Sequence, residues 1–178
     1  RIAVQDGTSV DSNYAAERHE GIRYVQEAYA GVRLAEETWL DAGIFFSHIG
    51  VESFISRDNL TYTRSLVADF SPYYQAGARL SRRLSSSWSA QALILNGWQN
   101  ISDERHPAFG GQVAYAPSER WSMTYNSFVG EENRGTRVFH DLVGKWKPLD
   151  GVDLHAQADL GSQNTDEVRW WHGYTLMG

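Results

Sequence analysis

The sequence offers few residues arranged for catalysis or metal binding. No Gly-x-Ser-x-Gly elbow and no phosphate-binding glycine loop is present, and the acidic segments at 58–60 and 103–105 lack calcium-loop spacing. The six histidines are scattered, without His-x-His or His-Glu-x-x-His spacing: His19, His48, His106, His140, His155 and His172. The chain has no cysteine, which excludes thiolate metal sites and cysteine nucleophiles. We therefore expect no catalytic residue, no metal and no cofactor.

Polar and charged residues instead recur at every second position of apolar segments. The clearest case is 152–160, and the same alternation occurs at 74–81 and 121–126 and, less regularly, at 39–46. In an extended strand, alternate side chains point to opposite faces. The pattern therefore predicts strands with one apolar and one polar face.

Nine such strands of about ten or eleven residues are predicted, longer than the usual five or six of soluble sheets and long enough to cross a bilayer at a tilt. They lie at 23–34, 38–48, 72–84, 87–97, 107–117, 120–130, 136–147, 151–161 and 167–177. Short connections alternate with longer ones, as in outer-membrane barrels. The predicted fold is all-β, an antiparallel up-and-down transmembrane β-barrel forming a single domain over residues 1–178.

In such a barrel the polar positions would face the interior, because Arg or Lys facing lipid at the midplane costs about 2–4 kcal/mol. The candidate selectivity residues of this lumen are Asp41, Arg79, Arg83, Asp141, Lys145, Asp153, His155 and Asp159. The bases cluster on the third strand and the acids on the seventh and eighth. Either the two groups face each other and create a transverse field that orients solutes, or they form local salt bridges.

The long connection 49–71 mixes aromatic and charged residues. A connection of this length is usually functional or disordered. One interpretation folds it into the mouth of the barrel as a constriction, and the other makes it an ordered surface loop. The candidate constriction residues are Glu52, Arg57, Asp58 and Arg64.

Tryptophans lie near both ends of the predicted strands. Trp39, Trp88, Trp121 and Trp146 are close to short turns, and Trp98, Trp170 and Trp171 lie toward the longer connections. Indoles at both ends of apolar strands are typical of the interfacial girdles of a barrel. The alternative is that they anchor a soluble core and bind polar partners at its edge.

Three consecutive segments carry a family resemblance. Residues 43–52 are similar to the "G-x-F-x-T-x-I-G-Y-E" segment of the OmpL-like β-barrel porins. Residues 59–65 resemble that family's "N-x-x-Y-S-R-S", and residues 72–80 its "P-x-x-H-T-G-V-R". Weaker likeness continues at 95–98 and 109–117.

The resemblance implies a porin-like channel in the outer membrane of a Gram-negative-type envelope. Its partners would be the lipid bilayer with lipopolysaccharide and small polar solutes. Whether the chain forms a homo-oligomer is left undecided by the resemblance. The sequence departs from the family pattern at Val51 and Thr63, and Gln75-Ala76 replaces His-Thr. Any role of that family histidine is therefore not carried over.

The chain also looks incomplete. Nine strands is an odd number, whereas bacterial single-chain barrels have an even one, and the end at 174–178 lacks the terminal aromatic residue of barrel C-termini. Barrels of the resembled family are roughly twice this length. We expect part of a larger barrel, or alternatively that residues 1–5 supply a tenth strand and close a small barrel.

Composition narrows the function classes further. The chain has 22 acidic against 16 basic residues, a net charge of −6 and no basic run, which argues against nucleic acid as a partner. The leading prediction is passive diffusion of small polar solutes through a charged, water-filled lumen. The alternatives are a lipase-like outer-membrane enzyme, a soluble carbohydrate-binding β-sandwich, and a structural barrel with a plugged lumen.

Overall fold

Ten antiparallel strands form one sheet in the computed structural model, which describes residues 1–4, 24–101, 106–132 and 135–178. The strands are β1 (Ile2–Val4), β2 (Val25–Ala35), β3 (Thr38–Phe46), β4 (Tyr74–Arg83), β5 (Trp88–Leu95), β6 (Ala108–Ser118), β7 (Trp121–Glu132), β8 (Gly135–Leu149), β9 (Val152–Asn164) and β10 (Val168–Met177). Each strand pairs with its neighbours in the sequence. The predicted all-β, up-and-down antiparallel fold is confirmed.

All nine predicted strands are present, with ends within three residues of those expected. The tenth, β1, comes from the segment suggested for it and pairs with β2 through Ile2 and Ala28, although residue 5 lies outside the described residues. Within the described ranges no pairing joins β1 to β10, so the sheet has two free edges there.

The expected alternation of connection lengths holds only for the first half of the chain. The β3–β4 and β5–β6 connections are long, at 47–73 and 96–107. Strands β7, β8 and β9, however, have 12, 15 and 13 residues and extend past their predicted ends. The connections at 133–134 and 165–167 are consequently short.

The register separates charged from apolar side chains. Directly opposed residues of an antiparallel pair face the same side of the sheet; Asp141 opposes Asp159, and Leu142 opposes Ala158. Asp141 is 1% exposed and Leu142 43% exposed, the reverse of a soluble protein's preference. The other exposed apolar side chains on the face of Leu142 include Val32, Leu80, Ile94, Phe109, Val113, Met123, Val129, Leu160 and Leu176. We call this the outward face and the opposite one the inward face.

An aromatic row crosses the outward face beside the short turns. Trp88 stacks on Tyr115 at 4.5 Å between ring centroids, Tyr115 meets Trp121 edge-on at 5.6 Å, and Trp121 is opposite Trp146. This is the geometry of an interfacial girdle. The girdle prediction is wrong for three indoles, which the register or their packing places on the inward side: Trp39, Trp98 and Trp171.

Two glycines allow neighbouring strands to approach closely, β3 to β2 and β4 to β5. Gly43 and Gly77 are directly opposite each other in β3 and β4, with φ of 133° and 150°. A Cβ on Gly77 would collide with the carbonyl oxygen of Ile94 on β5, and one on Gly43 with that of Ala28. Glycine tolerates both the backbone angle and the contact, and such positions are where sheets bend.

The long connection 47–73 contains two short helices, a 3-10 helix at Ser56–Asp58 and α1 at Leu66–Asp69. The Ser65 hydroxyl oxygen caps α1 by accepting from the Ala68 N–H at 3.3 Å. Neither of these, nor any other helix in the described ranges, has the length and apolar character needed to cross a membrane.

Candidate functional site

The connection 47–73 lies against the inward face, and His48 is its first point of contact. The ring Nδ1 of this buried histidine is 2.8 Å from Oε1 of Gln75 on β4, and Nε2 is 3.0 Å from the Ser127 carbonyl oxygen on β7. Its own carbonyl oxygen accepts from Nε2 of Gln112 on β6 at 3.1 Å. One residue therefore joins three strands.

The next residues reach two more strands through their backbone. The Gly50 N–H donates to Oδ2 of Asp141 on β8 at 2.8 Å, and the Val51 N–H donates to Oε1 of Gln157 on β9 at 2.9 Å. Buried N–H groups outside a ladder need such acceptors, because an unpaired one is costly. We call the hydrogen bonds of residues 48–51 to these five strands the loop latch.

The latch requires a curled sheet. In a flat sheet, β4 and β9 would lie roughly 24 Å apart, at five strand spacings. The Cα atoms of His48 and Val51 are at most about 11 Å apart, the reach of three residues. Because side chains stand roughly perpendicular to a sheet, the strands have to curve around residues 48–51, and the inward face is the concave one.

A polar network supports the latch from below. Asn126 donates from Nδ2 to Oδ2 of Asp141 at 2.7 Å and accepts from Nε2 of Gln112 at 2.8 Å. Gln157 donates from Nε2 to Oδ1 of Asp159 at 2.9 Å. Asn126, Asp141, Gln157 and Asp159 are all buried. The network fixes the acceptors that the loop backbone needs.

All eight residues predicted for the lumen fall on inward positions of the register: Asp41, Arg79, Arg83, Asp141, Lys145, Asp153, His155 and Asp159. They separate into two groups. Asp141 and Asp159 lie buried beneath the loop latch, whereas the others lie nearer the short turns and are at least partly exposed. Lys145 is opposite His155.

The basic residues of β4 have local partners. Arg79 forms an ion pair with Asp41 on β3, with Nη2 2.9 Å from Oδ2, and its guanidinium lies 4.7 Å from the centre of the Phe45 ring. Arg83 pairs with Glu37 at 3.5 Å. These contacts favour the interpretation as local salt bridges over a field directed at the acids of β8 and β9.

Two of the charged residues predicted for the constriction, Glu52 and Arg64, make their contacts within the loop itself. Glu52 accepts from the backbone N–H and the hydroxyl of Ser65, and Arg64 donates to the Phe54 carbonyl oxygen. The Arg64 guanidinium also lies 4.8 Å from the centre of the Tyr73 ring. Both residues thus hold the loop in its own fold. The exposed pair Arg57 and Asp58 contact each other at 3.4 Å, at the outer side of the loop.

Sequence reasoning missed His48 and the glutamines as loop anchors. Gln75, Gln112 and Gln157 occupy polar positions in strands of alternating polarity, and this pattern predicts that they lie on the inward face. Nothing in the sequence pairs them with His48 or Val51, because those contacts span 27 to 106 residues.

Burial changes the titration of two groups of the connection. Desolvation lowers the pKa of His48, against the opposing effects of the Ser127 carbonyl, Gln75 and Asp141. Burial likewise raises the pKa of Tyr73, whose hydroxyl donates to Asp69 at 2.9 Å. Burial therefore favours the neutral form of the His48 ring, in which only one of the two ring nitrogens donates a hydrogen bond.

The inward face is not polar throughout. Its half beside the long connections holds a buried apolar cluster, against which Trp98 and Trp171 pack. The cluster comprises Phe45, Ile49, Leu93, Leu95, Ala108, Phe128 and Phe139. Polar side chains therefore share this half of the inward face with an apolar cluster and do not line it alone.

No group of three or more His, Asp or Glu side chains is placed to hold a metal ion within the described ranges. His19 and the acidic segment 103–105 lie outside those ranges. A family model described as "Putative beta-barrel porin-2, OmpL-like" matches residues 1–177. No curated protein and no solved structure matches the chain.

Proposed function

Because the chain belongs to the OmpL-like β-barrel porin family, we propose that it is an outer-membrane channel for passive diffusion of small polar solutes. The observation that carries the proposal is the reversal of the two faces. Leu142 and its outward neighbours are exposed, while Asp141, Asn126 and Gln157 are buried on the inward side. Lipid is the solvent that suits an exposed apolar face of this extent.

The proposed solute path follows the inward face. At the short-turn side it passes the ion pair of Arg79 and Asp41 and the partly exposed groups Lys145, Asp153 and His155. Charged and polar side chains at such positions replace part of a solute's hydration. Toward the other side, residues 48–51 narrow the path where the loop latch crosses it.

The aromatic residues of the outward face indicate how the barrel would lie in the bilayer. The row from Trp88 to Trp146 would sit at one bilayer interface, as amphipathic rings do. Trp170, 69% exposed near the opposite strand ends, would lie at the other, beside lipopolysaccharide. The partners proposed are therefore bilayer lipids and small polar solutes.

Refolding from urea, with and without detergent, tests the membrane environment. We expect β-structure only with detergent, together with a band whose gel migration changes on boiling. A folded, monodisperse protein in plain buffer would contradict the proposal and favour a soluble sandwich.

Planar-bilayer recording then tests the channel. We expect stepwise ion conductance from the refolded chain. A refolded, bilayer-inserted chain that carries no current and admits no sugar into liposomes would contradict transport while leaving the barrel intact.

A further inference from the structure

A cavity of about 730 Å³ lies at the long-connection side of the inward face, between α1 and the ends of β8, β9 and β10. Its size is within the range of small-molecule sites. It does not overlap the residues of the latch, and none of the predicted site residues except Asp159 lines it.

Aromatic rings form one wall of this cavity. Trp98 meets Phe139 edge-on at 4.9 Å, and Phe139 lies 6.4 Å from Trp171. The indole of Trp171 occupies the space that a side chain on Gly161, its partner in the register, would fill. The wall is therefore fixed by packing.

Charged and amide groups complete the lining. Arg137 lies 5.0 Å from the centre of the Trp98 ring and 5.8 Å from that of Trp171, and its Nη2 donates to Oε1 of Gln163 at 2.9 Å. Asp69 and Asp159 also line the cavity. The site thus combines flat apolar surface with hydrogen-bond donors and acceptors.

We infer that this cavity binds a neutral mono- or disaccharide, an inference that rests on the proposed channel function and names a solute class for it. A pyranose ring has apolar C–H faces that stack on indole, and hydroxyl groups that both donate and accept. Asp69 offsets the charge of the one guanidinium, so the lining has no net positive charge that would attract an anionic solute. A lipid chain would exclude water from these polar groups and offer them no hydrogen bond in return.

The test uses the full chain refolded in detergent and titrated calorimetrically with maltose and, separately, with glucuronate. We expect maltose to bind and glucuronate to bind at least about tenfold more weakly. Wild-type protein that conducts ions but shows no maltose binding would overturn the inference and leave the channel standing. Binding of glucuronate as tight as that of maltose would overturn the neutral-sugar assignment.

Two matched variants locate the site. Trp171→Leu removes the aromatic face but keeps bulk, and Trp146→Leu does the same on the outward face at the other end. We expect about tenfold weaker maltose binding for the first and unchanged binding for the second. Equal binding by both would overturn the location. If Trp171→Leu does not refold, Trp171→Phe and the wild-type titration carry the test. Maltose binding by a chain that never conducts would contradict the channel instead.

Discussion

The backbone N–H of Gly50 donates a 2.8 Å hydrogen bond to the carboxylate of Asp141, 91 residues further along the chain. The same carboxylate oxygen accepts from Asn126. The position of the connection 47–73 thus depends on an acid that belongs to a distant strand. Removal of the Asp141 carboxylate should therefore weaken the attachment of this connection more than the pairing of the strands.

Asp141→Ala should loosen the latch and raise the single-channel conductance. The substitution leaves the Gly50 N–H without its acceptor, and an unsatisfied buried donor costs about 1–3 kcal/mol, so detachment of residues 48–51 is favoured. Single-channel recording provides the measurement. Asp150→Ala, which removes a fully exposed acid at a turn, is the control and should leave the conductance unchanged. Equal conductance in all three proteins would show that the latch does not narrow the path.

Replacing Arg79 and Arg83 with Gln should shift the ion selectivity of the channel toward cations. The first substitution leaves Asp41 with an uncompensated charge on the inward face, and the second frees Glu37. The reversal potential in a salt gradient measures the change. Adding Asp41→Gln to the double variant should reverse part of the shift. An unchanged reversal potential in the double variant would rule out these bases as selectivity residues.

The stability of the fold should fall as the pH drops below 6.5, in part because of His48. Burial lowers the pKa of its ring below the ordinary 6.5, so the unfolded chain takes up the proton first. The stabilising contribution is fully present above pH 6.5 and is lost as the pH falls toward the lowered pKa. The charged groups around the ring are Asp141, which opposes the shift, and Arg79, which adds to it.

Urea midpoints of the detergent-folded protein above and below pH 6.5 measure this effect. His48→Gln should show a smaller loss on acidification than the wild type, whereas the exposed His106→Gln should lose as much as the wild type. A pH dependence identical in all three proteins would assign the acid sensitivity to other groups.

Gly77→Ala should destabilise the sheet by about 1–3 kcal/mol, the usual range for a strained backbone position. Its φ of 150° and the approach of the Ile94 carbonyl leave no room for a Cβ. Gly144→Ala is the matched control, because nothing lies within 4 Å of a Cβ added there. The temperature at which the folded gel band is lost compares the two. Equal loss in both variants would contradict a special role for the β3–β4 glycine pair.

Leu142→Arg should block bilayer insertion, since the residue is exposed on the outward face in the middle of β8. An arginine facing lipid near the midplane costs about 2–4 kcal/mol. Glu119→Arg places the same residue at a short turn and should insert normally. Flotation of liposomes after refolding separates the two outcomes. Normal insertion of Leu142→Arg would mean that this face does not meet lipid.

The sequence by itself determined the strands and their two faces. Apolar and polar residues alternate with a period of two at 152–160 and at 74–81. In a strand this pattern places the apolar side chains on one face and the polar side chains on the other. Up-and-down pairing followed from short connections such as 84–87. The inward positions of Asp141, Asp159 and Arg79 could be predicted from alternation along each strand alone.

The tertiary structure decided which residues meet. Glu52 and Arg64 were candidates for a constriction because the long connection mixes aromatic and charged residues, and only the structure shows that their partners Ser65 and Phe54 lie within the same loop. The contacts that position the loop use the backbone of Gly50 and Val51, and backbone N–H groups carry no signature in a sequence. Period-two patterns fix a side chain's face but not its distance to another strand. Curling of the sheet sets that distance, and with it both the latch and the aromatic cavity.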